Sequence, residues 1–358
     1  MRSTRFAVSL GLALCLAAAG FAATPLYVPG VALLLTAIVA AVWVKSAARG
    51  LRLRRSVGAT VVEEQTPLPI TVRLSRGRLP LPSAELRVWP DGPPLPVPGP
   101  SQGKMTSAVR FPRRGRQLLG PASVVVGDPI GLCSRIVASA ASEVLVLPRV
   151  EPIHLLEVEG EPAIFGRAPI SAPDAGATEV DSLRPYRDGS PASRIHWPTV
   201  ARTTTLMERR LVADGERTPW VLVDPRHPAS ADALDRAMRA AASLCVHLAR
   251  RGGCALLLPG DRQPTRIGPT LSGFSESHAR LALMVPEAGA PPVGRLTSLG
   301  AVLWVTAAAG MSTHFAQLRA PLRYLVSPHP RPGVPVQFTV AGCSGQRLES
   351  GAVRRRAA

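Results

Sequence analysis

Two apolar, uncharged runs near the N-terminus constrain this chain more than any other feature of its sequence. Residues 6–23 contain no charged side chain, and residues 31–44 again contain none. The short segment between the two runs contains Pro25 and Pro29, which favour a turn. Each run is near the lower length limit of a helix that crosses a bilayer. The pattern predicts a transmembrane helical hairpin over residues 1–50.

The basic residues around these runs predict an orientation. Arg2 and Arg5 precede the first run, a basic cluster follows the second, and the turn has no charge. The positive-inside rule then places both ends in the cytoplasm, so we expect a cell-membrane protein whose soluble domains face the cytoplasm. A cleaved signal peptide is the alternative, although the second run argues against simple cleavage and release. The cluster, which can also lie on anionic lipid headgroups, is Lys45, Arg49, Arg52, Arg54 and Arg55.

The overall charge narrows the classes of partner. The net charge is +18, from 42 basic and 24 acidic residues. Nucleic acid, anionic lipid and an acidic protein partner all fit such a balance. The chain has no RNP aromatic pattern, no Cys–His finger and no basic heptad region, which argues against nucleic acid. Its five cysteines have no paired spacing, so we expect a reducing compartment rather than a disulfide framework.

Residues 51–150 are predicted to form a small all-β, sandwich-like domain. Short alternating runs are bounded there by Pro and Gly clusters, as in domains built from short strands and turns. The basic stretch 112–117 is interpreted as a solvated hairpin, with a second basic patch as the alternative. The predicted strands lie within 60–65, 69–74, 84–90, 105–111, 122–127 and 143–148.

Residues 213–345 alternate between buried-strand and helical patterns. This order predicts a mostly parallel, doubly wound α/β sheet. A basic tail, 346–358, follows it. The strands are predicted over 219–224, 254–260, 301–306 and 323–327, and the helices over 233–253, 275–284 and 312–320.

The intervening region, 151–212, contains a motif with a specific resemblance. The motif residues are Glu179, Leu183, Arg184, Tyr186, Gly189, Arg194, Ile195, Trp197, Ala201 and Arg202. Arg-Gly, Asp-Pro-x-Gly-Leu and Pro-Arg elements precede them within residues 110–150. Together these residues and elements resemble the bacterial membrane-protein family known as domain of unknown function 58. Ser190 and Ser193 depart from the family's Asp and basic residue, and Val180 stands where an aromatic residue is usual.

The resemblance implies a C-terminal domain similar to a von Willebrand factor A domain and partnership with a MoxR-type AAA+ ATPase. Domains of that kind bind a divalent cation through Asp-x-Ser-x-Ser at the end of the first strand. The corresponding residues here are Asp224, Arg226 and Pro228. Because Arg226 brings a positive charge where a metal needs oxygen, we expect no metal site. No cofactor-binding motif is found in the sequence, so we expect no other cofactor. Asp224 is then available to pair with Arg226 or to cap a turn.

The motif is also the candidate binding site. Arg side chains suit contacts with carboxylates and stacking on rings, so a recognition surface is one interpretation. A polar network that ties the loop to the following domain is the other. His196 is a weak general-base candidate, because no nucleophile or second base is spaced to support it. The candidate residues are Arg184, Tyr186, Asp188, Gly189, Arg194, His196, Trp197 and Arg202.

These observations favour a non-enzymatic, membrane-tethered binding or adaptor protein in a process at the cell envelope. The chain contains no phosphate loop, dinucleotide fingerprint, nucleophile elbow or His-Glu-x-x-His motif. One alternative is an envelope-associated hydrolase or a metal-dependent adhesion module. The other is a binder of anionic lipid or nucleic acid.

Overall fold

A computed structural model describes the chain as two compact units, Met1–Val146 and Leu147–Ala358, called unit 1 and unit 2 below. Each unit has its own core. The described residues are 2–75, 77, 83–97, 103–156, 165, 180–186, 195–203, 205–211, 218–293, 300–310, 312–318, 320 and 322–348.

Unit 1 begins with two helices that pack against each other. Helices α1 (Arg2–Gly20) and α2 (Tyr27–Arg49) are joined through a 3₁₀ turn. Glycines allow the close approach, because a methyl group at Gly30 would lie 2.7 Å from the sulfur of Cys15. Among the described residues one helix, Thr24–Arg49, is long and apolar enough to cross a membrane, and α1 contains a shorter apolar helix.

The rest of unit 1 consists of short strands in small sheets. Strands are found in all six predicted segments, whereas β1, β5, β7 and β9 were not predicted. The sheets have the orders β1-β3-β6, β2-β10-β7 and β5-β4-β8-β9. The strands are β1 (Arg52–Val57), β2 (Val61–Glu63), β3 (Leu68–Ser75), β4 (Ser83–Arg87), β5 (Leu95–Pro96), β6 (Gly103–Val109), β7 (Gly115–Leu119), β8 (Ser123–Gly127), β9 (Ser134–Ala138) and β10 (Ser142–Leu147).

The core of unit 1 follows the alternation of apolar residues along its strands. In β3 every second side chain, from Leu68 to Leu74, is buried. Val124 and Val126 of β8 are buried in the same cluster. Val44, near the end of α2, also belongs to this core. The apolar helix therefore continues into the folded β structure without an intervening linker.

Arg55 connects β1 to the β7 and β10 side of unit 1. Its guanidinium donates hydrogen bonds to the carbonyl oxygens of Leu119, at 3.1 Å, Ala140, at 3.0 Å, and Gly120. It also donates to the hydroxyl of Ser142, at 2.9 Å. Burial lowers the pKa of Arg55 from its ordinary value, but a guanidinium stays charged at any physiological pH. One cation thus satisfies several acceptors from distant parts of the chain.

Unit 2 is built around a mixed sheet flanked by helices. The four predicted strands form its parallel centre, in the order β18-β17-β14-β15. The helices are α3 (Trp197–Thr203), α4 (Ala231–Arg250), α5 (Phe274–Ala282) and α6 (Thr313–Gln317). The strands are β11 (Ile153–Leu155), β12 (Val180–Pro185), β13 (Met207–Leu211), β14 (Trp220–Asp224), β15 (Cys254–Leu257), β16 (Thr265–Ile267), β17 (Ala301–Thr306), β18 (Leu322–Ser327), β19 (Val336–Val340) and β20 (Cys343–Arg347).

The outer strands correct the prediction of a mostly parallel sheet. Strands β16, β20, β19 and β11 all join it in antiparallel pairings, so the described sheet has more antiparallel than parallel pairings. The β19–β20 hairpin turns at Ala341 and Gly342, which both have positive φ angles, 49° and 73°. Two such residues form the tight turn whose twist suits a hairpin. The sequence indicated no strand there because Ala rarely occupies the first of these positions.

Alternate side chains of the central strands form two cores. Val221 and Val223 of β14 face the cluster that contains α4 and α5, whereas Leu222 faces the cluster that contains Phe315 of α6. The hydroxyl of Ser230 caps α4 by accepting a hydrogen bond from Ala233 N at 3.0 Å. Helices therefore cover both faces of the parallel centre. A ligand-binding site is then expected at the ends of the strands, which the helices do not cover.

Arg55→Met tests the contribution of the guanidinium in unit 1. The substitution keeps the aliphatic part of the Arg55 side chain but removes its guanidinium. The carbonyl oxygens of Leu119, Gly120 and Ala140 then lose their hydrogen-bond donor. We expect the free energy of unfolding of the full chain in detergent to fall by about 2–3 kcal/mol. Arg54→Met, at an exposed position of the same strand, should cost less than about 0.5 kcal/mol. Equal losses in the two variants would refute the role of Arg55.

Candidate functional site

Polar side chains gather where the parallel strands of unit 2 end. Asp224 ends β14, Thr306 ends β17 and Ser327 ends β18. All three are buried. Because these strands are parallel neighbours, their last residues lie at one edge of the sheet, which is where ligands bind in open α/β sheets. We call this edge, with the loops that follow it, the carboxyl edge.

At the carboxyl edge, Arg226 binds both carboxylate oxygens of Asp224. Its Nε lies 2.8 Å from Oδ1 and its Nη2 lies 2.9 Å from Oδ2 of Asp224. The backbone N–H of Arg226 also donates to Oδ1 at 3.3 Å, which closes a turn around Pro225. The hydrogen bonds to Asp224 raise the pKa of Arg226, although burial opposes them. The pairing of Asp224 with Arg226 that the sequence allowed is therefore confirmed.

These residues do not fit the divalent cation that the resemblance implies. A metal would need the oxygens of Asp224, and both of them already accept hydrogen bonds from Arg226. The side chain of Asp224 is only 4% exposed, so its negative charge is neutralised where little solvent reaches it. Pro228 offers no oxygen from its side chain. Among the described residues, no group of three His, Cys, Asp or Glu side chains could hold a metal ion.

An open pocket lies beside this ion pair. It has a volume of about 450 Å³, and its lining includes Arg226, His227 and Glu287. His227 has a φ angle of 49°, which is strained for a residue other than Gly. Ser312, the cap residue of α6, lies 3.4 Å from Nη2 of Arg226. Sequence analysis missed Ser312 and the strand ends Thr306 and Ser327, although the last two could have been found at the ends of predicted strands.

Part of the predicted motif lies in a second place, the motif segment, formed by β12, α3 and β13. Strands β12 and β13 pair antiparallel, with Arg184 opposite Glu208. The backbone N–H of Tyr186 donates to Leu206 O at 2.9 Å, and that of His196 donates to Met207 O at 2.8 Å. The pairing therefore holds Tyr186 and His196 near each other. Asp188, Gly189 and Arg194 lie outside the described residues.

Three motif residues at α3 differ in what they can contact. Nδ1 of His196 lies 2.7 Å from the hydroxyl of Thr199, so this ring nitrogen is engaged in a local contact at the start of α3. The side chain of Trp197 is 61% exposed, and Arg202 is exposed as well. Ile195, beside them, is buried. The segment thus presents an aromatic and a cationic side chain to solvent while Ile195 anchors it.

The described cysteines of unit 2 have the properties of packing residues. Cys245, Cys254 and Cys343 are buried and free. The contact with Cys254, together with burial, raises the pKa of Cys245. Burial raises the pKa of Cys343 to about 12, so its thiol stays protonated at neutral pH. A thiolate is the nucleophilic form of Cys, and these environments oppose it.

Comparison with protein families gives one match. Residues 182–339 match the family model described as "Protein of unknown function DUF58". Over these residues the chain is similar to that family. It begins within β12 of the motif segment and ends within β19, so it includes the carboxyl edge, whereas the whole of unit 1 lies outside it. No curated protein matches the chain.

The bidentate pair predicts how the carboxyl edge responds to divalent cations. Calorimetry of the full chain in detergent with Mg²⁺, Mn²⁺ or Ca²⁺ should show no saturable heat, because Arg226 holds both oxygens of Asp224. The variant Arg226→Ser/Pro228→Ser restores Asp-x-Ser-x-Ser and frees the carboxylate. We expect that variant to bind at least one of these ions with a dissociation constant of about 1 mM or less.

The parent protein provides the decisive comparison for this prediction. A micromolar divalent-cation site in the parent, abolished by Asp224→Ala, would contradict the role assigned to Arg226.

Proposed function

We propose that this protein is a non-enzymatic, membrane-tethered binding or adaptor protein that works with a MoxR-type AAA+ ATPase in a process at the cell envelope. The observation that supports binding most directly is the Asp224–Arg226 pair, which holds the Arg226 guanidinium in the lining of the open pocket at the carboxyl edge. The ATPase partnership rests on the resemblance to the DUF58 family alone.

The proposed architecture has a membrane anchor and a binding domain. Helices α1 and α2 form a transmembrane hairpin with both ends in the cytoplasm, which the apolar segment Thr24–Arg49 and the flanking charges support. Unit 2 is a degenerate domain of the von Willebrand factor A type. Its support is the parallel centre covered by helices on both faces, with Asp224 at the end of the first of these strands.

The motif segment is the proposed contact surface for the partner. Exposed aromatic and Arg side chains are the residues most often responsible for affinity at protein interfaces. Trp197 and Arg202 are both exposed, which makes them available to a partner. The rival interpretation, that the motif only ties a loop to its own domain, fits these two side chains less well, because neither of them is buried.

The enzymatic alternatives receive less support from the described residues. The ring of His196 is engaged with Thr199, and the thiols of Cys245 and Cys343 are held in their protonated forms. The binder of anionic lipid or nucleic acid remains a rival because of the net charge of +18. Such binding falls steeply with salt, whereas a packed protein interface is less sensitive.

Capture of the ATPase by variants of the full chain tests the proposal. A MoxR-type ATPase should be retained by the detergent-solubilised parent protein. Trp197→Ala and Arg202→Ala should each weaken capture by about 1–3 kcal/mol, or roughly 5- to 150-fold, because each removes an exposed interface side chain. The melting temperature should stay nearly unchanged, since both residues are exposed.

Arg262→Ala is the matched control, because Arg262 is an exposed Arg of unit 2 outside the motif segment. It should leave capture intact. If the two motif variants melt early and bind normally once folded, the motif is structural. If Arg202→Ala and Arg262→Ala weaken capture equally while Trp197→Ala does not, and added salt abolishes capture, binding is driven by net charge.

A further inference from the structure

The turn between β8 and β9 is built around the buried carboxylate of Asp128. The carboxylate of Asp128 accepts hydrogen bonds from the backbone N–H groups of Ile130, at 2.9 Å, Leu132, at 3.2 Å, and Cys133. Burial raises the pKa of Asp128, but these donors outweigh burial and leave the pKa below its ordinary value. The carboxylate therefore stays ionised and holds the turn in one shape.

This turn lies against the apolar helices of the same unit. The hydroxyl of Thr4 in α1 donates a hydrogen bond to Leu132 O and lies 3.5 Å from the sulfur of Cys133. Strands β8 and β9 both contact α2. The hairpin is thus fixed to the end of the helix pair at which α1 begins and α2 ends.

The helix packing gives the depth of the turn relative to the apolar run. Gly11 of α1 lies against Gly30 and Leu34 of α2. Since the helices are antiparallel and rise equally per residue, Thr4 is level with roughly residues 37–41 of α2. That level is close to the end of the apolar run 31–44. The β8–β9 turn therefore lies where the hydrocarbon region would give way to the headgroups.

The hairpin exposes apolar side chains, and exposed basic residues lie on the helices and strands of the same unit. Ile130 at the tip of the turn is 70% exposed, and Ile136 of β9 is 66% exposed. Isolated exposed apolar residues need no explanation, but these two belong to one hairpin held against a membrane-compatible helix pair. The exposed basic residues of the same helices and of the strands beside them are Arg5, Lys45, Arg49, Arg52, Arg54 and Arg135.

We propose that the β8–β9 hairpin is a membrane-inserting element, with Ile130 and Ile136 in the acyl–headgroup boundary of an anionic bilayer. The basic residues bind the phosphates of the headgroups, and the apolar tip enters beneath them. The element holds unit 1 against the membrane surface in one orientation. The inference rests on the proposed membrane anchor, and it adds a second, peripheral contact with the bilayer.

Bromine quenching of tryptophan fluorescence tests this contact in the full chain. The protein is reconstituted in vesicles of phosphatidylcholine and phosphatidylglycerol, with or without lipid brominated near the headgroup end of the acyl chains. The added tryptophan of Ile130→Trp should show a blue-shifted emission and a loss of intensity on brominated lipid, beyond the loss seen in the parent. Leu118→Trp, at a position 74% exposed on β7, is the control and should add no such loss.

The parent protein separates the two proposals. Trp43 is the one tryptophan within α1 and α2, so quenching in the parent reports the anchor itself. If brominated lipid quenches the fluorescence of the parent, and Ile130→Trp shows no additional quenching, the inserting hairpin is overturned and the anchor stands. No loss in the parent would overturn the anchor and the hairpin together. Equal added loss in Ile130→Trp and Leu118→Trp would replace a specific insertion with general adhesion.

Discussion

The continuity of α2 with the core of unit 1 is the constraint on which the rest of this account depends. Val44 at the end of the apolar run and Leu51 just after the helix are both buried in the core that contains the strands of unit 1. No flexible linker separates the apolar helix from the β structure. If α2 spans a bilayer, as we propose, this continuity fixes the orientation of unit 1 relative to the membrane.

At the carboxyl edge, the Asp224–Arg226 pair offers a ligand different contacts from those of a bound metal ion. A bound metal presents open coordination positions to a ligand, whereas a bidentate guanidinium satisfies the carboxylate and leaves only its remaining donors for others. Such a pair needs no metal supply and cannot be removed by a chelator. The pair is therefore formed whether or not divalent cations are present.

Patterns of apolar residues in the sequence predicted the strands whose burial repeats along the chain. The alternation in β3 and the buried runs of β14, β15, β17 and β18 were sufficient to place strands. The spacing of Asp224 and Arg226 made a pair between them one of two roles open to Asp224, and the structure shows that pair. The β19–β20 hairpin was missed because its turn at Ala341 and Gly342 lacks the usual residues. The contact of Thr4 with Leu132 joins residues 128 positions apart, so no periodicity could indicate it. The motif was found through resemblance, but its exposure at Trp197 required the structure.

The topology of the full chain in the membrane decides whether α1 and α2 form the proposed anchor. Reporters that are active on only one side of the membrane are placed after Ala358 and within Thr24–Leu26, the turn between the two helices. We expect the C-terminal reporter to be active in the cytoplasm and the reporter in the turn to be active outside it. A C-terminal reporter that is active only outside the membrane, or a chain that fractionates without the membrane, would contradict the proposed anchor.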